Sequence, residues 1–256
     1  MQTLLQLTSF GRILYLQMDN CWRENKNRFL FGMLAIMVHL GIFTKVKVSF
    51  LMQGHTHEDI DQLFSRFSTK LRKQSCHTLP SLLKVLSEAY HPSPVCTRLT
   101  SMVDWAAWVL PNLQPMRNHT GPHCFKIYKD DSGQVKLLWK MWASDRLWQD
   151  CSGAGGNCPL AEINIDVSPN ALHPDWTKIE QDKVKETVKK AKEYLSSEQQ
   201  QWWENFFQAQ EPNPPSQPDG RAMLTQLKEK APAEVLPMDR ATTTLTCRPV
   251  HIGRKH

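Results

Sequence analysis

The chain reads as an α/β protein: a βαβα core of parallel strands covered by helices, then a β-hairpin, a long helix and a disordered tail. Three observations predict this. Within residues 12–71, two short apolar strands flank a helix that is apolar nearly all round, which is the strand–helix–strand order of a parallel pair. Two strand-like runs, Cys124–Lys129 and Gln134–Met141, flank Asp130-Asp131-Ser132-Gly133, a hairpin signature. Beyond Glu211 the sequence is Pro-rich and polar, with too little apolar surface to fold by itself. The 256 residues accommodate one or two domains. They divide into an uninformative segment 1–11, a domain 12–150, a linker 151–174, a helical segment 175–210 and a tail 211–256.

Ile13, Leu14, Tyr15 and Leu16 make a continuous apolar strand ending at Met18, as expected of an interior strand covered on both faces. Asp19-Asn20 opens a loop. Asn25–Leu40 predicts a helix buried against a sheet, with Gly41 as its stop. Lys45–Met52 is the second strand. After the turn Gly54-His55-Thr56-His57, a helix carries Ile60, Leu63, Phe64, Phe67 and Leu71 on one stripe. Thr56 and Asp59 form a capping-box-like pair at its start. At about 100° per residue, Asp59 and Asp61 flank opposite edges of that stripe and Glu58 points away.

Thr78–Tyr90 predicts a helix with Pro80 in its first turn. Asp104–Leu110 predicts a short helix stopped by Pro111. In and after the hairpin, Trp139, Trp142 and Trp148 suit base stacking or a small core, and core is the expectation. The Gly-rich stretch Cys151–Asn157 lacks the Lys-Ser/Thr of a phosphate loop and reads as a flexible loop. Asp175–Gln208 predicts a long, mostly solvated helix. His39 reads as a core histidine of the buried helix. There is no internal repeat.

The formal charge is +6, and residues 1–75 hold much of the excess. That balance suits a polyanion partner or an ordinary basic surface. Lys26, Arg28 and Arg66 lie around the motif and are the candidate nucleic-acid contacts. The seven cysteines are odd in number, with no CxxC pair, so neither a disulfide framework nor a zinc ribbon is indicated. A reducing compartment is expected. No signal peptide is read, and the longest apolar run, Phe29–Phe43, falls short of the roughly 20 residues of a membrane span.

In parallel sheets, sites form at the carboxyl ends of strands. Asp19 and the His55 turn both lie there. Carboxylates from different elements hold Mg²⁺ or Mn²⁺ through hard oxygen ligands, and a metal pair activates water for phosphodiester chemistry. Asp19 and Asp61 are the candidate catalytic and metal-binding acids. Asp59, Glu58, His55 and His57 are the weaker ligand candidates. Four of these have a plain structural alternative. Asp19 also reads as an Asx turn, Asp59 as a helix cap, Asp61 as a solvent-facing acid and His55 as a turn residue bonded to the backbone. Imidazole pairs favour zinc, which keeps His55 and His57 open as transition-metal ligands.

The segments MDNCWRENKNR, VHLGIF and VSFLMQGHTHEDIDQLFSRFS resemble a domain of unknown function, the DUF7869 type, found in proteins encoded by eukaryotic transposable elements. That domain is similar to the catalytic core of RNase H-like, DDE-type transposases. The likeness covers roughly residues 12–150 and weakens after Leu71. It implies a partial RNase H-like fold, Asp19 as the second acid of the DDE set and, through GHTH-x-x-x-D, Asp61 as the third. It also implies DNA as partner and nuclear placement, where the residues themselves leave nucleus and cytoplasm equally open. The departure is at the start. About ten residues precede the first strand, where an RNase H-like sheet has three strands and its first acid. The expectation is a C-terminal part of a transposase, inactive alone.

Two other functions fit parts of the sequence. One is a non-catalytic module binding nucleic acid or protein. The other is a zinc metallohydrolase, since HTHEDI resembles a metallo-β-lactamase motif without its last His and GHTH resembles the histidine motif of calcineurin-like phosphoesterases.

Overall fold

The side chain of Asn27 accepts a hydrogen bond from Leu30 N at 2.9 Å and caps the helix Arg28–His39. It thereby satisfies an amide that a first turn leaves without a carbonyl partner. Gly41, at φ +75°, turns the chain out of that helix. The helix is apolar on nearly every side and buried accordingly, with Phe31, Leu34, Ala35, Ile36, Met37 and Val38 all in the core. The rest of the fold is arranged around it.

The computed structural model describes residues 2–21, 23–52, 59–96, 98–99, 102–116, 118–151, 168–172, 178–208 and 219–232. In chain order the elements begin with α1 (Gln2–Gln6), β1 (Ile13–Met18), α2 (Arg28–His39), β2 (Lys45–Phe50), α3 (Asp59–Leu71) and α4 (Leu79–Ser87). Next come β3 (Met102–Val103), α5 (Trp105–Val109), β4 (Cys124–Lys129), β5 (Val135–Lys140), β6 (Gln149–Asp150) and β7 (Ala171–Leu172). The helices α6 (Gln181–Lys190), α7 (Ser197–Gln208) and α8 (Gly220–Lys230) follow.

The architecture is mixed α/β. A five-stranded sheet runs β1-β2-β4-β5-β6, and β3 pairs with β7 in a second, two-stranded sheet. The expected strand–helix–strand unit is present: β1 and β2 are parallel neighbours joined through α2. The sheet as a whole is not parallel. The hairpin β4–β5 lies antiparallel on the second edge of β2, with Val46 opposite Ile127 and Val48 opposite Phe125. An interior strand needs both edges hydrogen-bonded, and the hairpin supplies the second.

Side chains alternate along each strand, so register sorts the sheet into two faces. One face presents Leu14, Leu16, Val46, Val48, Phe50, Phe125, Ile127 and Leu137 to the core. Phe125 sits with its ring centroid 4.7 Å from Phe31 of α2 and 5.8 Å from Phe50. The other face gives no residue to that core. This corrects the reading of β1 as an interior strand covered on both faces. It lies at the sheet edge, its burial alternates, and Tyr15 is 64% exposed. The apolar run reports strand propensity here, not two-sided cover.

Three further readings are corrected. Within the supposed disordered tail, α8 buries Leu224 and Leu227 among the core residues. The Asp219 side chain caps it by accepting from Arg221 N and Ala222 N, and the Lys230 ammonium donates to the carbonyls of Leu5 and Leu7. Two leucines three residues apart on one face suffice once a sheet and a helix offer them a surface. The long helix read over Asp175–Gln208 is two helices, α6 and α7, separated by a 3₁₀ turn at Lys192–Tyr194. His39 is exposed at the end of α2 rather than buried.

Other expectations hold. Thr78 caps α4 in a reciprocal box with Ser81, with Pro80 in the first turn. Asp104 caps α5. In the hairpin turn, Asp130 Oδ1 accepts from Ser132 N and Gln134 N, while Gly133 takes φ +79°. The core expectation for the three tryptophans near the hairpin holds for Trp139 and is corrected for the other two: Trp142 is exposed, and Trp148 lies beside Lys126 and Lys140 on the other face of the sheet. Among the described residues, no helix is long and apolar enough to cross a membrane.

Candidate functional site

Register brings two chain ends to one edge. Met18 lies opposite Phe50 in the parallel pair, and Leu51 N donates to Met18 O at 3.0 Å. Asp19 and Leu51 therefore leave the sheet side by side, at the carboxyl ends of β1 and β2. Asp19 is exposed. Its backbone carbonyl accepts from Asn25 Nδ2 at 3.0 Å, which folds the loop back toward the start of α2. The exposed Asp19 side chain is accessible to a cation.

Asp61 lies in the first turn of α3 and is also exposed. Asp59 begins that helix. His55, His57 and Glu58 lie outside the described residues, as does Thr56 of the expected capping pair. Among the described residues, no three His, Cys, Asp or Glu side chains come together as a ligand set. What the fold brings together is the strand end carrying Asp19 and the strand end that leads into the α3 segment.

The basic candidates separate. Arg66 is exposed on α3, and Arg28 is half-buried at the start of α2 with its guanidinium 5.2 Å from the Phe29 ring centroid. Lys26 is fully buried. Its ammonium donates to Thr120 O at 2.8 Å and sits 4.9 Å from the Phe50 ring centroid. Burial holds its pKa below the ordinary lysine value. In this position Lys26 braces the 118–123 loop against the end of β2 and presents no charge to an exterior polyanion.

Two histidines of that loop went unremarked in the sequence. His123 Nδ1 lies 3.1 Å from Phe50 O, and its ring stacks on Trp142 at 4.6 Å. His119 Nδ1 is buried and has no hydrogen-bond partner among the described residues. Burial lowers the His119 pKa first of all. A hydrogen bond with the Lys26 backbone offsets part of that, and the Lys26 charge adds to the lowering. The sequence does hold a signal, two histidines in His119-Thr120-Gly121-Pro122-His123 directly before a strand. Nothing local places them beside Lys26, which is 94 residues from its partner Thr120.

Chemically, this edge offers the exposed Asp19 carboxylate, with the buried Lys26 side chain and the buried Nδ1 of His119 in the loops beside it. Carboxylates of this kind suit hard divalent cations. Compared with known proteins, residues 1–145 match the family described as Domain of unknown function (DUF7869). No curated protein matches the chain, and no solved structure does.

Proposed function

The chain belongs to the DUF7869 family, and from that premise we propose that it is a transposase-derived, RNase H-like domain whose ancestral reaction is metal-dependent cleavage and strand transfer on DNA. One observation carries the reading. The acid that ends β1, Asp19, emerges beside the end of its parallel partner β2, and β2 leads to the helix bearing Asp61. On this reading Asp19 and Asp61 are two of the three acids of a DDE set. Their carboxylates would hold Mg²⁺ or Mn²⁺, which activates water or a 3′-hydroxyl and steadies the departing oxygen. A third carboxylate completes such a set.

Thermal unfolding with and without Mn²⁺ tests this, beside Asp19→Asn and Asp61→Asn. A ligand that binds only the native state stabilises it by about 2.7 kcal/mol at one hundred times its dissociation constant. The expected result is a midpoint raised by Mn²⁺ in the parent and in neither variant. A midpoint unmoved by Mn²⁺, or moved equally in all three proteins, sinks the proposal.

A further inference from the structure

The face of the sheet turned away from the core has an unusual composition. Register places Lys45 and Lys47 of β2, Lys126 of β4, and Lys136 and Lys140 of β5 on it together. Tyr15 of β1 and Tyr128 of β4 share the face, and Asp150 of β6 enters from the far edge. Lys47 and Lys126 are direct cross-strand partners, although like charges set opposite each other destabilise a sheet. Burial together with the charges of Lys45 and Lys47 holds the Lys126 pKa below its ordinary value.

Asp130 pairs with Lys136 at 3.6 Å, and Lys140 is tied to the carbonyls of Ala143 and Asp145. Lys45, Lys47 and Lys126 have no carboxylate partner among the described residues. Aromatic rings lie between the charges. Lys47 is 5.2 Å from the Tyr15 ring centroid, and Lys126 is 5.0 Å from that of Tyr128 and 4.9 Å from that of Trp148. Tyr15, Lys47, Lys140 and Trp148 line a groove of about 360 Å³ on this face.

We propose that this face binds single-stranded nucleic acid, with Lys45, Lys47 and Lys126 on the phosphates and Tyr15 and Trp148 against the bases. The charge selects a polyanion, and a phosphate backbone relieves the repulsion between Lys47 and Lys126. The interleaved rings select a strand whose bases are unstacked, because a duplex offers them no open base face. The site lies on the sheet surface, away from the acids at the carboxyl edge, and does not depend on the metal reading.

The test uses the full chain in EDTA, so that metal binding plays no part and the two proposals fail separately. A labelled oligothymidine is followed by fluorescence anisotropy over a salt series, beside a duplex of equal length and phosphatidylserine vesicles. The expected result is salt-sensitive binding that favours the single strand. Removing two phosphate contacts in Lys47→Gln/Lys126→Gln lowers the slope of log affinity against log salt by about 1.4, at roughly 0.7 per contact. Tyr15→Ala weakens binding about tenfold at every salt, with the slope unchanged. If the double variant does not fold by circular dichroism, Lys47→Gln alone carries the slope test at about 0.7. Absent binding at low salt, an unchanged slope in the lysine variants, parental affinity in Tyr15→Ala, or equal binding of duplex or vesicles overturns the proposal.

Discussion

The two faces of the five-stranded sheet are made from alternate residues of the same strands. Phe125 is fully buried and its neighbour Lys126 faces outward. Val48 is buried and Lys47 faces outward. The core face concentrates apolar area, and removing that area from water stabilises the fold at roughly 25 cal/mol per Å². The outer face gathers like charges across strands, which works against the fold by a few tenths of a kcal/mol per pair. The contrast teaches that one strand sequence can serve stability with one set of side chains while the other set is shaped by something besides stability.

The contrast breaks most visibly in the core. Phe125→Ala should cost about 3–5 kcal/mol in denaturant unfolding, since its ring fills the space between Phe31 and Phe50. A loss below about 1 kcal/mol would show that this face is not the packed one. Leu227→Ala should cost about 2–5 kcal/mol by the same measurement, because that fully buried side chain joins α8 to the same core. An unchanged midpoint would return α8 to the status of a tail.

A smaller effect comes from the carboxyl edge. The His119 pKa is lowered in the folded chain, so between the ordinary histidine value of about 6.5 and its folded value the unfolded chain binds more protons. Stability therefore falls as pH drops through that window and is fully present above it. His119→Asn should flatten this part of a plot of unfolding midpoint against pH, and an identical slope in the variant would remove His119 from the account. The smallest change is expected on the outer face. Lys47→Gln should shift stability by no more than about 0.5 kcal/mol, toward greater stability, because it removes the repulsion with Lys126. A clear loss in denaturant titration would mean that Lys47 supports the fold after all.

Much of the secondary structure was legible because its causes are local. Asn27 caps α2, Thr78 and Pro80 start α4, and Asp130 with Gly133 turns the hairpin, each acting within a few residues of itself. The strand–helix–strand order, and with it the position of Asp19 at a strand end, followed from periodicity alone. The sequence likewise offered two candidate acids, Asp19 after β1 and Asp61 in α3, while His55, His57 and Glu58 lie outside the described residues.

What the tertiary structure decided is which side of each element is covered. Continuous apolarity in β1 did not show that one of its faces is open. The charge of Lys26 gave no hint that its ammonium would end beneath the sheet edge. The composition of 211–256 hid two leucines that find a core elsewhere in the chain. The outer lysines are scattered over residues 45–140 and become one surface only through cross-strand register. Caps, turns and periods are properties of neighbours in sequence, whereas burial and shared faces are properties of pairings over long separations, which no single segment encodes.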